Sequence, residues 1–310
     1  MGKVDIRVKN FIKVDTVFAQ LFSEGVFKGS IKIDPNKLQE LDSANQTMLK
    51  DLERLRDAQK IAMLFDDKLA FQVILGAEGQ AGVHYYMPVR CMELDALSYS
   101  GQCRRISEKA KEKKKLKKYA DGVPKGTKIV PTVTLVFYVG SKPWDGPKSV
   151  HDMLDIPEDM KEWAKVFIPD YQMHIIDARH LTEEEINRFE GDLKAFLLMI
   201  QENYNEEKLK NVVAMHRQTW YAIGAIKNDQ RYVEYIDKFS DEEMAGGVYM
   251  DAVLDRIEAR GEERGEARGE ARVNELGMKM AKAGRVNEFI QSLSDKELQN
   301  RLFVEFKIKI

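Results

Sequence analysis

A chain of 310 residues with 44% hydrophobic content can bury a sizeable core, and its length fits one or two domains. A formal net charge of −2 hides an asymmetry: residues 1–127 carry 23 Lys and Arg against 17 Asp and Glu, and residues 128–310 carry 26 against 34. The longest nearly apolar stretch, Ile129 to Val139, falls short of the ~20 residues of a membrane helix, and the charged start from Lys3 to Asp15 holds no apolar signal region, so a cytoplasmic protein is expected.

Val14, Val17, Phe18, Leu21 and Phe22 recur at helical spacing and predict a short amphipathic helix within 13–28. Residues 29–50 are polar and irregular. Two apolar runs, 59–65 and 69–77, are joined by Asp66-Asp67-Lys68 and predict a hairpin. A helix follows, with Pro88 in its first turn and Val89, Met92, Leu97 and Ile106 expected on its apolar side. Cys91 and Cys103 both fall on that helix, so a mutual disulfide is geometrically implausible. Reduced thiols fit a cytosolic protein.

Residues 109–118 read KAKEKKKLKK, seven lysines and one glutamate. Lysines displacing counterions drive non-specific DNA binding, so this run is a candidate phosphate track; the alternative is a solvated charged face. Residues 128–139 form the most strand-like run, continuous enough in apolar character to be buried on both faces. Within the loop 142–154, Trp144-Asp145-Gly146-Pro147 reads as a turn with a packed tryptophan. Residues 174–178 are a second short strand.

From Thr182 the pattern turns helical. Thr182-x-x-Glu185 is a capping box, and helices are expected over 182–203, 206–226 and 229–238. Residues 258–273 repeat Glu, Arg and Gly with a four-residue period. Like charges stack at i,i+4 and each Gly costs ~1 kcal/mol, so a lone helix there is marginal. Two readings stay open: a flexible charged linker, or self-association of one chain's Arg stripe with another's Glu stripe. Two short helices close the chain, one opened by Ser294-x-x-Glu297.

The hairpin is where chemistry concentrates. Asp57 precedes its first strand, and Glu78 and Gln80 end its second, giving D-x20-E-x-Q. Residues 78 and 80 share one face of an extended segment. A carboxylate beside a buried strand is costly unless compensated, and Mg²⁺ is a natural compensator because it takes a few carboxylate oxygens, water and phosphate. As bare spacing, the pattern does not separate a metal site from acids that flank a hairpin by chance.

The stretch Leu75 to Gln102, LGAEGQAGVHYYMPVRCMELDALSYSGQ, resembles the metal-site block of the Rpn family. These are recombination-promoting nucleases, also described as putative transposases, within the PD-(D/E)XK superfamily. DTVFAQLF (15–22), RLRDAQK (54–60), KIVPTVTLVFYVGSKPWDGPKSVHDML (128–154) and the charged tail are similar to further blocks of that family. The resemblance implies a PD-(D/E)XK restriction-endonuclease-like α/β core, a mixed four-strand sheet flanked by helices, in residues 1–180. A helical region 181–257, the charged repeat 258–273 and short helices 274–310 would follow.

It also implies a Mg²⁺-dependent DNA endonuclease, with Mn²⁺ as substitute. Asp57 and Glu78 match the metal-binding acids, and the backbone carbonyl of Gly79 faces the metal. Gln80 matches the position that is lysine in the wider superfamily and would orient the attacking water. Asp15, Arg90 and Tyr99 match accessory positions, of which Arg90 suits a phosphate. The middle position is often Asn or His in this branch, and Gly there is expected to loosen the backbone. Lys109, Lys111, Lys113, Lys114, Lys115, Lys117 and Lys118 would meet the DNA backbone. His84 reads as a structural or exposed histidine. The expected partners are DNA and, through the tail, a second copy of the chain, with no membrane. Two alternatives remain: a nuclease-inactive DNA-binding or recombination-assisting protein, and a nuclease component of a defence or toxin system.

Overall fold

The computed structural model describes residues 2–40, 57–66, 69–112, 122–202 and 206–308. By internal contacts the chain divides into two units, Met1–Asp251 and Ala252–Ile310.

The first unit is built on one mixed sheet. The apolar runs of the expected hairpin become β2 (Ala58–Asp66) and β3 (Leu69–Gln80), paired antiparallel in the register Ala58–Ala77 through Asp66–Leu69. The strand-like run becomes β4 (Thr132–Tyr138), parallel to β3, and β5 (His174–Asp177) adds parallel to β4. The expected mixed four-strand sheet is therefore present. A two-residue strand, β1 (Gln39–Glu40), extends it along β2, giving the order β1-β2-β3-β4-β5.

Each face of the sheet has its own cover. On one face, α1 (Lys3–Ile12) lays Phe11 against Phe196 of α6 (Gly191–Ile200), with ring centroids 4.4 Å apart, and Phe137 of β4 lies 5.9 Å from Phe196. The predicted helix within 13–28 is α2 (Asp15–Gln20), which runs on into a π-helical turn at Leu21–Val26. On the other face, α3 (Met87–Glu112) sets Met87 and Cys91 against Val136, Tyr138, Trp144 and Met173.

The apolar side expected for α3 is corrected. Met92 and Leu97 are exposed, and the buried stripe instead runs through Met87, Cys91, Leu94, Asp95, Ser98 and Gln102. The polar members of that stripe bind the sheet. Ser98 shares a 2.9 Å hydrogen bond with the Thr132 hydroxyl, the Thr134 hydroxyl donates to Asp95 at 2.5 Å, and the Gln102 amide takes both backbone groups of Val130. A hydrophobic count misses a helix face that docks by hydrogen bonds. Cys91 and Cys103 are free thiols, as expected. Trp144 packs edge-on to Tyr138 and donates its indole N–H to Gly146 in the expected turn.

Next come α4 (Lys161–Phe167) and, opened by the Thr182–Glu185 capping box, α5 (Glu183–Ile186), a single turn. The predicted helix 182–203 is thus broken before α6. The segment 206–226 also divides, into a 3-10 turn, a short strand β6 (Val213–Ala214) and α7 (Arg217–Ile226). Then come α8 (Arg231–Ile236), α9 (Asp241–Ala245) and β7 (Val248–Tyr249), which pairs with β6.

The four-residue repeat lies within α10 (Met250–Lys282), a continuous helix rather than a linker without secondary structure. In the second unit Leu276 and Met280 of α10 bury against Leu302, Phe303 and Ile308. The intervening elements are α11 (Val286–Ser292) and α12 (Lys296–Glu305). Asp295, not Ser294, caps α12: its carboxylate accepts from the backbone N–H groups of Glu297 and Leu298. Among the described residues no helix is long and apolar enough to cross a membrane.

Candidate functional site

The register that pairs Ala58 with Ala77 sets Asp57 beside Glu78. The Asp57 backbone N–H donates to Glu78 Oε1 at 3.3 Å, and the Gly79 N–H donates to Asp57 Oδ2 at 2.9 Å. Both acids are buried, Asp57 at 7% exposure and Glu78 at 0%. Ionised carboxylates so far from water need compensation. Two cations from opposite faces of the sheet provide it. Lys9 of α1 pairs with Asp57 Oδ1 at 3.1 Å, and Arg90 of α3 pairs with Glu78 Oε2 at 3.2 Å. Burial works to lower the Arg90 pKa, but the Glu78 carboxylate, by charge and hydrogen bond, and the Asp57 charge hold it above its ordinary value.

Lys9 escaped the sequence reading because α1 was not anticipated. The signal was present: Val4, Val8, Phe11 and Ile12 stand at helical spacing, and the last three are buried.

Gly79 does more than free the backbone. A Cβ there would stand 3.0 Å from Val8 Cγ1 and 3.6 Å from Ile12 Cδ1. The absent side chain lets α1 approach β3, and that approach carries Lys9 to Asp57.

Gln80 is half-buried, and its backbone carbonyl accepts from Val139. Asp15 is engaged elsewhere, by Lys60 Nζ at 2.6 Å. The Tyr99 hydroxyl accepts from the Thr132 backbone N–H at 3.1 Å, at the start of β4. Lys109 and Lys111 are exposed in the last turn of α3, while Lys113, Lys114, Lys115, Lys117 and Lys118 lie outside the described residues. His84 stacks edge-on to Tyr86 with centroids 4.0 Å apart, and burial, then the Arg90 charge, push its pKa down.

Gln59 was not singled out from the sequence. It lies two residues past Asp57, on β2, where it pairs with Gly76 on the face that Glu78 shares; it is 8% exposed, and neither amide atom has a partner among the described residues. Buried polar groups are nearly always satisfied, so an orphan calls for water, ion or ligand. Among the described residues no group of three or more His, Cys, Asp or Glu is placed to hold a metal.

Residues 110–230 match the model of the family described as putative transposase, YhgA-like. The resemblance read from the sequence and this match agree. The YhgA-like match spans β4, β5 and the helices through α7, and it ends short of Asp57, Glu78 and Gln80 on the amino-terminal side. No curated protein and no solved structure matches the chain.

Proposed function

We propose that this protein is a Mg²⁺-dependent DNA endonuclease with a PD-(D/E)XK-like core, associated with recombination or a mobile element. One observation carries the reading. Asp57 and Glu78, 21 residues apart in sequence, meet as a buried acid pair at one end of the central hairpin. The YhgA-like match, to a family described as putative transposases, supports DNA as the partner.

The donor set fits magnesium. Two carboxylates offer hard oxygens, and Mg²⁺ completes its shell with water and substrate phosphate. The orphaned Gln59 amide, on the sheet face that Glu78 shares, offers a further oxygen or a hydrogen bond to such a water. Asp57 and Glu78, with the Gly79 carbonyl, would hold the ion. When bound, it would lower the pKa of a water and offset charge developing on the phosphodiester.

The remaining work falls to the chain. Gln80 orients the attacking water through its amide. Lys9 supplies the positive charge that a glutamine at position 80 lacks, and directs it at a phosphate oxygen. Arg90 holds the Glu78 carboxylate in place through its ion pair. The 109–118 lysines hold the backbone by charge alone. A second copy of the chain is the proposed partner of the 258–273 stripes.

One observation favours a second reading, a nuclease-inactive DNA-binding or recombination-assisting protein. Each of the four carboxylate oxygens of Asp57 and Glu78 already has a protein donor. Calorimetric titration of Mg²⁺ into protein mixed with a duplex oligonucleotide separates the two. Saturable uptake that disappears in Glu78→Gln supports the enzyme; no uptake by the wild type supports the second reading.

A further inference from the structure

A cavity of about 720 Å³ opens between α2, β2 and the amino end of α7. Lys13, Asp15, Lys60, His216 and Gln218 are among its walls. His216 is held in one orientation. Its Nδ1 bonds Asp192 Oδ2 at 2.9 Å, and Asp192 also accepts from the backbone N–H groups of Met215 and His216 and from the Thr219 hydroxyl at 2.6 Å. Asp192 is 5% exposed, so this support is rigid. With Nδ1 committed, Nε2 remains, and it has no partner among the described residues. Lys13 likewise has no ion pair among them, whereas Lys60 is tied to Asp15.

We propose that this cavity is a phosphate site, in which His216 Nε2–H and Lys13 bind one phosphate group, in the first instance a backbone phosphate of the DNA strand cleaved beside Asp57. The DNA assignment rests on the proposed function; the phosphate chemistry does not. Lys9 and Lys13 are one helical turn apart along the chain. Lys60 of β2 lies three residues past Asp57, about 10 Å along an extended chain, roughly the rise of three nucleotides. The Asp192 hydrogen bond, working against burial, and then the Asp192 and Asp15 charges raise the His216 pKa, which favours the doubly protonated donor. Lys13 and Lys60 face the same space with positive charge, and Asp15 is the acid opposing them. The amino end of α7 adds its dipole on the side of an anion.

The test is metal-free, so it does not depend on cleavage. The histidine ring signals of the full chain are followed by NMR, with His216 assigned from His216→Gln, while a short duplex and, separately, inorganic phosphate are added. Duplex affinity is measured for wild type and Lys13→Ala across a salt series. The proposal expects both probes to move the His216 signal. It also expects Lys13→Ala to weaken duplex binding on the order of three- to tenfold and to lower the salt slope by about one. A shift with inorganic phosphate alone supports the site and reassigns its ligand to free phosphate. A shift with both probes in a protein that never cuts DNA supports the site and removes only the nuclease reading. No shift of the His216 signal with either probe overturns it, whatever the duplex affinity of Lys13→Ala.

Discussion

Lys9 and Asp57 meet at 3.1 Å although they lie on different elements, and the contact exists because α1 crosses β3 at Gly79. The helix delivers a cation to the end of a hairpin whose own position 80 offers only an amide. Lys9→Met keeps the apolar stem and removes the charge. DNA cleavage is expected to fall on the order of 10²-fold, as for loss of a charge that stabilises a transition state. Thermal unfolding and initial nicking rates, measured together, check that the loss is chemical rather than structural.

Glu78 is fully buried against Arg90, so removing one partner strands the other. Arg90→Ala is expected to destabilise by about 3 kcal/mol, the usual consequence of an uncompensated buried charge. Adding Glu78→Gln should recover most of that stability while leaving the protein inactive. Urea unfolding of the single and double variants measures the coupling.

Gly79→Ala places a methyl 3.0 Å from Val8 Cγ1. Overpacking of this size costs about 1–2 kcal/mol. Val8→Ala in the same chain should relieve it, and the recovery, read by chemical denaturation, distinguishes crowding from a backbone effect.

Asp192 raises the pKa of His216 in the folded chain. The sign follows from linkage: the stabilisation is complete below the unfolded histidine value, about 6.5, and is lost as pH rises through the raised folded value. Wild type compared with His216→Gln by urea unfolding at pH 6 and then at alkaline pH should therefore show a stability difference that shrinks as pH rises. An advantage that grew with pH would contradict the assigned pairing.

The sheet was legible because its signals are local. Two apolar runs with a charged turn make β2 and β3, and the unbroken run before Tyr138 makes the buried β4. That Asp57 lies beside Glu78 was legible because the hairpin register sets residues at its open end together. Lys9 and Gln59 were not. One depends on a helix docking across the sheet, and the other is notable only for partners it lacks. The buried face of α3 was misread because Asp95, Ser98 and Gln102 are polar by composition and buried through bonds to β4 and its approach. The repeat at 258–273 was read as a marginal helix from local propensity, yet it forms part of α10. Its downstream turns bury Leu276 and Met280, and packing of that kind, absent from the repeat's own composition, favours continuing the helix.

In the proposed mechanism Asp57 and Glu78 together hold the ion that promotes DNA cleavage. Nicking of supercoiled plasmid in Mg²⁺, and in parallel Mn²⁺, by wild type, Asp57→Ala and Glu78→Gln tests it most directly. Metal-dependent conversion to open circles is expected of the wild type, with a loss of at least on the order of 10²-fold in each variant. Equal rates in all three proteins, or a wild type inert with both metals, would contradict it.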